Sequence, residues 1–83
     1  MIKEILTFSK EDEINFNKLL NNEEIDVKKN LDFFKLLSEK AKLIDKAKDE
    51  DVTDDECRKM YIICYYRGIY EDYMDFLRRN NTK

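Results

Sequence analysis

The chain has no histidine, no tryptophan and no proline, one glycine and two cysteines in 83 residues. Without histidine no side chain titrates near neutrality unless perturbed, and no imidazole is present to bind a metal or activate a nucleophile. A zinc site would need carboxylates for most of its ligands and is not expected, and a Ser or Cys nucleophile would need a carboxylate or lysine as base, which no spacing fixes. The near absence of glycine and proline leaves few residues that punctuate turns, while Lys, Glu, Asp, Asn, Ile and Leu favour or tolerate helix. An all-α fold is expected. No segment approaches the ~20 uninterrupted apolar residues of a membrane span, and Met1 to Phe8 lacks the apolar run of a signal peptide. The expectation is a cytoplasmic chain without membrane association. Cys57 and Cys64 lie seven apart, roughly 10 Å along a helix, too far for a mutual disulfide and suited to a reducing compartment.

What is present concentrates between Met60 and Leu77, which hold all five tyrosines, two methionines and Cys64. On a helix, Ile62, Tyr65, Ile69, Tyr73 and Phe76 form one stripe. Met60, Ile63, Tyr66 or Arg67, Tyr70, Met74 and Leu77 form the stripe beside it. Together they make an apolar face wider than one neighbouring helix covers. The remainder is far more charged. The formal charge of −3 hides two opposed regions: seven lysines between Lys28 and Lys48, and six acids without a base from Asp49 to Glu56.

Taken in order, Met1 to Phe8 suits either a helix or a short strand. Ser9 with Asp12 three residues on resembles a capping box, and Glu11, Asp12 and Glu13 place negative charge at a helix start. A helix over 10–21 follows, with Ile14, Phe16, Leu19 and Leu20 as its contact face and Asn21-Asn22 as its stop. A second pattern, Ile25, Val27, Leu31, Phe34, Leu37 or Ser38, Ala41 and Ile44, runs to about Lys48 and is widened by Phe33, Leu36, Leu43 and Ala47; a break near Asn30, capping Leu31 onward, is favoured. Thr53 and Glu56 form another capping box, so a third helix starts at Asp54 and runs to about Arg79, leaving 80–83 as a frayed tail. The expected architecture is a single helical domain over 1–83: a small bundle of three main helices, with a long antiparallel pair made by the second and third.

The acids from Asp49 onward alternate like a calcium loop, but the sixth and twelfth positions hold Asp54 and Met60 where glycine and a bidentate acid are needed. They read as helix capping; imitation of nucleic-acid phosphates by this acidic face is the less favoured reading. No catalytic residue, metal ligand or cofactor is assigned. Cys64 reads as core rather than reactive thiolate. Glu71, Asp72 and Asp75 read as solvated charges before they read as a hydrolytic pair. Lys28, Lys35, Lys42 and Lys46 lie on an outer face, with Glu39 placed to pair with Lys35 and Lys42; they are the candidate nucleic-acid contacts. Gly68 costs about 1 kcal/mol against Ala inside the third helix. It marks either close approach of another backbone or a tolerated weak point.

Tyrosine packs its ring and keeps its hydroxyl wet, which suits recognition surfaces. One or two tyrosines should remain outside the bundle beside Glu71, Asp72 and Asp75. The candidate partner-binding set is Tyr66, Tyr70, Glu71, Asp72, Tyr73 and Asp75. The functional expectation is a small non-enzymatic regulator or inhibitor that binds a larger protein, with a homodimer possible. Its size and Lys- and Asn-rich composition suit a phage or mobile-element protein that blocks a host enzyme or defence complex, in the manner of anti-CRISPR and anti-sigma proteins. The run Phe8-Ser9-Lys10-Glu11-Asp12 before a helix, with the aromatic end of the chain, resembles phage anti-sigma proteins, a match of five residues that assigns no family. The alternative is a nucleic-acid-binding accessory protein using the lysine face, against which stand the negative charge and the lack of a known reader motif.

Overall fold

The computed structural model describes residues 2–47 and 51–81. Among them are four α-helices and no strand: α1 (Ile2–Ile5), α2 (Lys10–Leu20), α3 (Leu31–Lys46) and α4 (Asp54–Asn81), with a 3-10 turn at Lys28–Asn30. The all-α expectation holds, and the ambiguous opening segment is helical over Ile2–Ile5.

Local chemistry accounts for most helix ends. The Ser9 hydroxyl accepts from the Asp12 backbone N–H at 3.2 Å and donates to its carboxylate at 3.1 Å, which satisfies a donor that the helix start leaves open. At the far end of α2, Asn22 takes a left-handed φ of 63°. The Glu23 and Asn22 N–H groups then donate to the Lys18 and Leu19 carbonyls at 2.8 and 3.1 Å, the pattern of a Schellman stop. Thr53 and Glu56 form a reciprocal box, with bonds of 2.9 and 3.2 Å.

Two boundary expectations are corrected, and a third reaches past the described residues. Asn30 does precede α3, but its side chain makes no cap; its amide donates instead to the Asp26 carbonyl at 2.9 Å, tying off the turn before the helix. α3 stops at Lys46 with Ala47 as its cap residue, and the Lys48 end foreseen for it lies outside the described residues, as do Asp49 and Glu50. α4 continues through Asn80 and Asn81 where a frayed tail was expected. The Asn80 amide donates to the Phe76 carbonyl at 2.9 Å and so covers an acceptor of that last turn.

The core is built on α3. Phe33, Phe34, Leu37, Ala41 and Ile44 are buried there, joined by Phe16 and Leu19 of α2 and Ile63 of α4. α3 packs chiefly on α4, while α1 touches α3 and α2 touches α4. Ring contacts run through the core from Phe16 to Phe8 (4.6 Å between centroids), Phe33 (6.5 Å from Phe8), Phe34 (5.4 Å) and Tyr66 (5.7 Å). Ile14 and Leu43, expected in contact faces, are exposed instead. Each lies about 100° or more of helical rotation from the nearest stripe centre, so the neighbours of Phe16 and Ile44 turn away from them. The foreseen pairing of Glu39 with Lys35 and Lys42 does not form among the described residues. Lysine contributes elsewhere: Lys40 Nζ donates to the carbonyls of Ile5 (2.5 Å) and Thr7 (3.1 Å) and lies 4.6 Å over the Phe8 ring, clasping the opening segment onto α3.

The molecule measures 47 × 25 × 19 Å. At 1.5 Å per residue, the 28 residues of α4 span about 42 Å and set the long dimension. The α4 side chains that pack against the buried cluster are Met60, Ile62, Ile63, Tyr66 and Tyr70. α3 covers a little over half that length, so the last turns of α4 extend past the core.

Candidate protein-binding surface

Tyr61 and Tyr65 are one helical turn apart on α4 and are 70% and 56% exposed. Their rings stack at 6.4 Å and 17°, and Tyr65 sets its edge to Tyr66 at 5.1 Å and 89°. Tyr66 in turn rests on fully buried Phe34. Solvent-facing rings are thus braced from beneath by the core, and little side-chain entropy remains to be lost when a partner covers them.

Helical spacing extends this surface. Positions 61, 65, 68, 72, 75 and 79 fall within about 40° of one line along α4. Gly68 follows the tyrosine pair, and a Cβ built there meets nothing within 4 Å. Among the described residues no neighbouring segment approaches it, so the close-approach reading finds no occupant there. Gly68→Ala is expected to stabilise the isolated chain by about 0.5–1 kcal/mol through lower unfolded-state entropy and better helix propensity; urea unfolding followed by circular dichroism measures it. Asp72 comes next, exposed and with its carboxylate in no ion pair or hydrogen bond among the described residues. Asp75 closes the run, paired to Arg78 at 3.4 Å and Arg79 at 3.0 Å.

The six residues foreseen for a partner do not share one face. Glu71 is exposed and accepts from Arg67 at 3.2 Å; Arg67 also reaches Asp45 of α3 at 3.1 Å. These bonds, first to Glu71 and then to Asp45, hold the guanidinium above its ordinary pKa. Tyr66, Tyr70 and Tyr73 are half-buried and lie about 100–160° of helical rotation from Asp72. Burial pushes the Tyr66 hydroxyl pKa up, with Tyr65 and Glu24 adding to the rise. The tyrosines most exposed are therefore the pair on the turns before Gly68, not those beside Glu71, Asp72 and Asp75. Helical spacing was the available signal: Tyr61 and Tyr65 fall on the line of Asp72, whereas Tyr66, Tyr70 and Tyr73 continue the line of buried Ile63.

Cys64 corrects another expectation. It is exposed and free, as is Cys57, because Ile63 rather than Cys64 takes the buried position on that turn. Partial desolvation still raises its thiol pKa, Asp45 reinforcing and Arg67 opposing. Lys28, Lys35, Lys42 and Lys46 are all exposed. Lys35, Lys42 and Lys46 follow one line of α3, while Lys28 sits on the preceding 3-10 turn. Lys28 borders an open recess of about 350 Å³ that it shares with Glu11, Asp12 and Asp32, so acids interrupt the basic surface. A second recess, about 320 Å³, is lined by Ile5, Lys40, Leu43 and Ala47 among others. Among the described residues no group of three or more His, Cys, Asp or Glu could hold a metal ion, and no helix is long and apolar enough to cross a membrane. No protein-family model, curated protein or solved structure matches this chain.

Proposed function

We propose that the chain is a small non-enzymatic regulator or inhibitor that docks on a larger protein through the outer line of α4: Tyr61 and Tyr65 as anchors, Gly68 as a side-chain-free notch, and Asp72 as the charged end. The observation that carries this reading is the stacked, exposed tyrosine pair held from below by Tyr66 and Phe34. Aromatic anchors fixed before binding are what interface hot spots are made of. Action by occupancy in the cytoplasm fits such a surface, with a host enzyme or defence complex as the blocked target in the anti-CRISPR-like or anti-sigma-like manner. The three longer helices form the functional bundle in this reading, α3 and α4 being antiparallel through their short connection.

The test uses the full chain as bait in a host extract, followed by titration of the captured protein. Tyr61→Ala with Tyr65→Ala is expected to weaken capture at least about tenfold while leaving helix content and melting intact, since neither ring is core. Gly68→Ala, stabilising for the fold, is expected to weaken capture as well, because a methyl fills the notch. Capture untouched by all three changes sinks the reading. Binding that instead depends on Lys35, Lys42 and Lys46 and falls steeply with salt supports the nucleic-acid alternative.

A further inference from the structure

We infer that the overhanging end of α4 is a self-association site, at which two copies of this chain pair α4 to α4 in antiparallel fashion about a two-fold axis. This goes beyond the partner reading and uses the other side of the helix. Tyr73, Met74 and Leu77 continue the line of Ile63, Tyr66 and Tyr70 but lie past the last α4 residue that packs on the core. Ile69 and Phe76 flank them, Phe76 being 60% exposed. The spacing Ile63, Tyr66, Tyr70, Tyr73, Leu77 alternates three and four, the repeat by which helices pack along a seam. The first three of these positions pack on the chain's own core, whereas Tyr73 and Leu77 are half-buried and stand outside that cluster.

The chain exposes more surface than a compact protein of its mass. A monomeric protein of 10.1 kDa is expected to expose about 5,300 Å², whereas this chain exposes 6344 Å². The surplus of about 1,000 Å² belongs to the surface as a whole, polar and apolar together, and marks a chain less compact than is usual for its mass. The Cα radius of gyration, 13.5 Å against about 11.8 Å for a compact chain of this length, agrees with an element that projects from the body.

Sterics and charge select the second copy and its direction. The body of each chain, α1 to α3, occupies the seam side of α4 up to Tyr70. A parallel partner would bring its own body into that space, while an antiparallel one places the bodies at opposite ends. Glu71 and Arg78 border the same edge of the seam, beside Met74. A two-fold sets this edge against its counterpart, so that Arg78 of one copy comes level with Glu71 of the other; each shares or exchanges its bond within the chain, Arg78 to Asp75 and Glu71 to Arg67, and the pair forms twice. A parallel pairing would set the charged edge against Ile69 and Phe76. The antiparallel dimer leaves both Tyr61/Tyr65 surfaces free on the outside.

Sedimentation equilibrium of the full chain from about 5 to about 500 µM tests the proposal. The expected result is a concentration-dependent species of twice 10.1 kDa. Tyr73→Glu with Leu77→Glu is expected to give the monomer mass with unchanged helix content. Arg78→Glu is expected to weaken the dimer about tenfold, and Glu71→Arg added to it to restore the affinity. A monomer at every concentration in the unmodified chain overturns the proposal, whatever the variants do. So does a dimer that survives the double glutamate change, and a charge swap that fails to restore pairing overturns the antiparallel register. Loss of partner capture with the dimer intact bears on the outer tyrosine surface alone, which keeps the two readings separable.

Discussion

Phe34→Ala is expected to lower stability by about 3–5 kcal/mol, the largest effect of any single change considered for this chain. Phe34 is fully buried and touches the rings of Phe33 and Tyr66. Removing it forfeits the transfer free energy of the ring and leaves a cavity at the α3–α4 contact that surrounding helices fill only in part. Scaled by length, total stability should be about 4–12 kcal/mol, so the variant stands near the edge of folding at room temperature. For a chain of this size, 1 kcal/mol shifts the melting temperature by about 4–8 °C; a drop of about 12 °C or more in a circular-dichroism melt is the expected reading. Ile14→Ala is the control, since Ile14 is exposed and lies outside both the buried cluster and α4, and should change stability by less than about 0.5 kcal/mol. Equal losses in the two variants would place the core elsewhere. Because Phe34 is the floor under Tyr66, and Tyr66 under Tyr65, the same variant should also loosen the exposed tyrosine stack while the chain is still folded.

Lys40→Met should cost about 2 kcal/mol, read from the same melts. Methionine keeps most of the stem but loses the ammonium that donates to the Ile5 and Thr7 carbonyls and lies over Phe8. Hydrogen bonds from a charged donor contribute roughly 1.5–3 kcal/mol, and a cation over a ring about 0.5–2. Relief from burying a charge offsets part of that sum. The offset is visible in the lysine's own titration, because burial pulls its pKa below 10.5 and Asp12 only partly restores it. The unfolded chain therefore holds this proton more tightly, and the wild-type fold gains stability as pH rises from the folded pKa towards 10.5. Methionine does not titrate, so the gap between the two proteins should widen across that alkaline window. A gap that is constant or narrows would mean that the ammonium is not desolvated in the fold.

Helix ends were legible where their chemistry is local. Ser9 caps α2 at the Asp12 N–H and Thr53 with Glu56 forms the full reciprocal box, because a cap needs only residues within one turn. Asn30 was misread for the reason that two local uses compete: its amide reaches back to the Asp26 carbonyl rather than forward to α3. The apolar stripe of α3 was legible for the same periodic reason, although Leu43 falls outside its buried arc. The α4 surface was harder. Its apolar residues run round so much of the helix that periodicity offers two adjacent stripes without ranking them, and Cys64 and Tyr66 exchanged the environments foreseen for them. Lys40 lies about 140° of helical rotation from Lys35 and so off the line of Lys35, Lys42 and Lys46, but spacing does not name its partners. Its partners are carbonyls 33 and 35 residues away, and no spacing rule reaches that far.

The sequence by itself determined that this protein is helical, where α2 and α4 begin, and which residues of α3 form a buried face, because helix propensity, capping and amphipathic period are properties of neighbours in the chain. Only the tertiary structure decided which side of α4 is spent on the core, that Tyr61 and Tyr65 stand outside on a braced stack, and that the core ends at Tyr70 and leaves Tyr73, Met74 and Leu77 beyond it. Those outcomes depend on where α3 lies along a helix nearly twice its length. That position is set by packing between residues distant in sequence, to which a local pattern is blind.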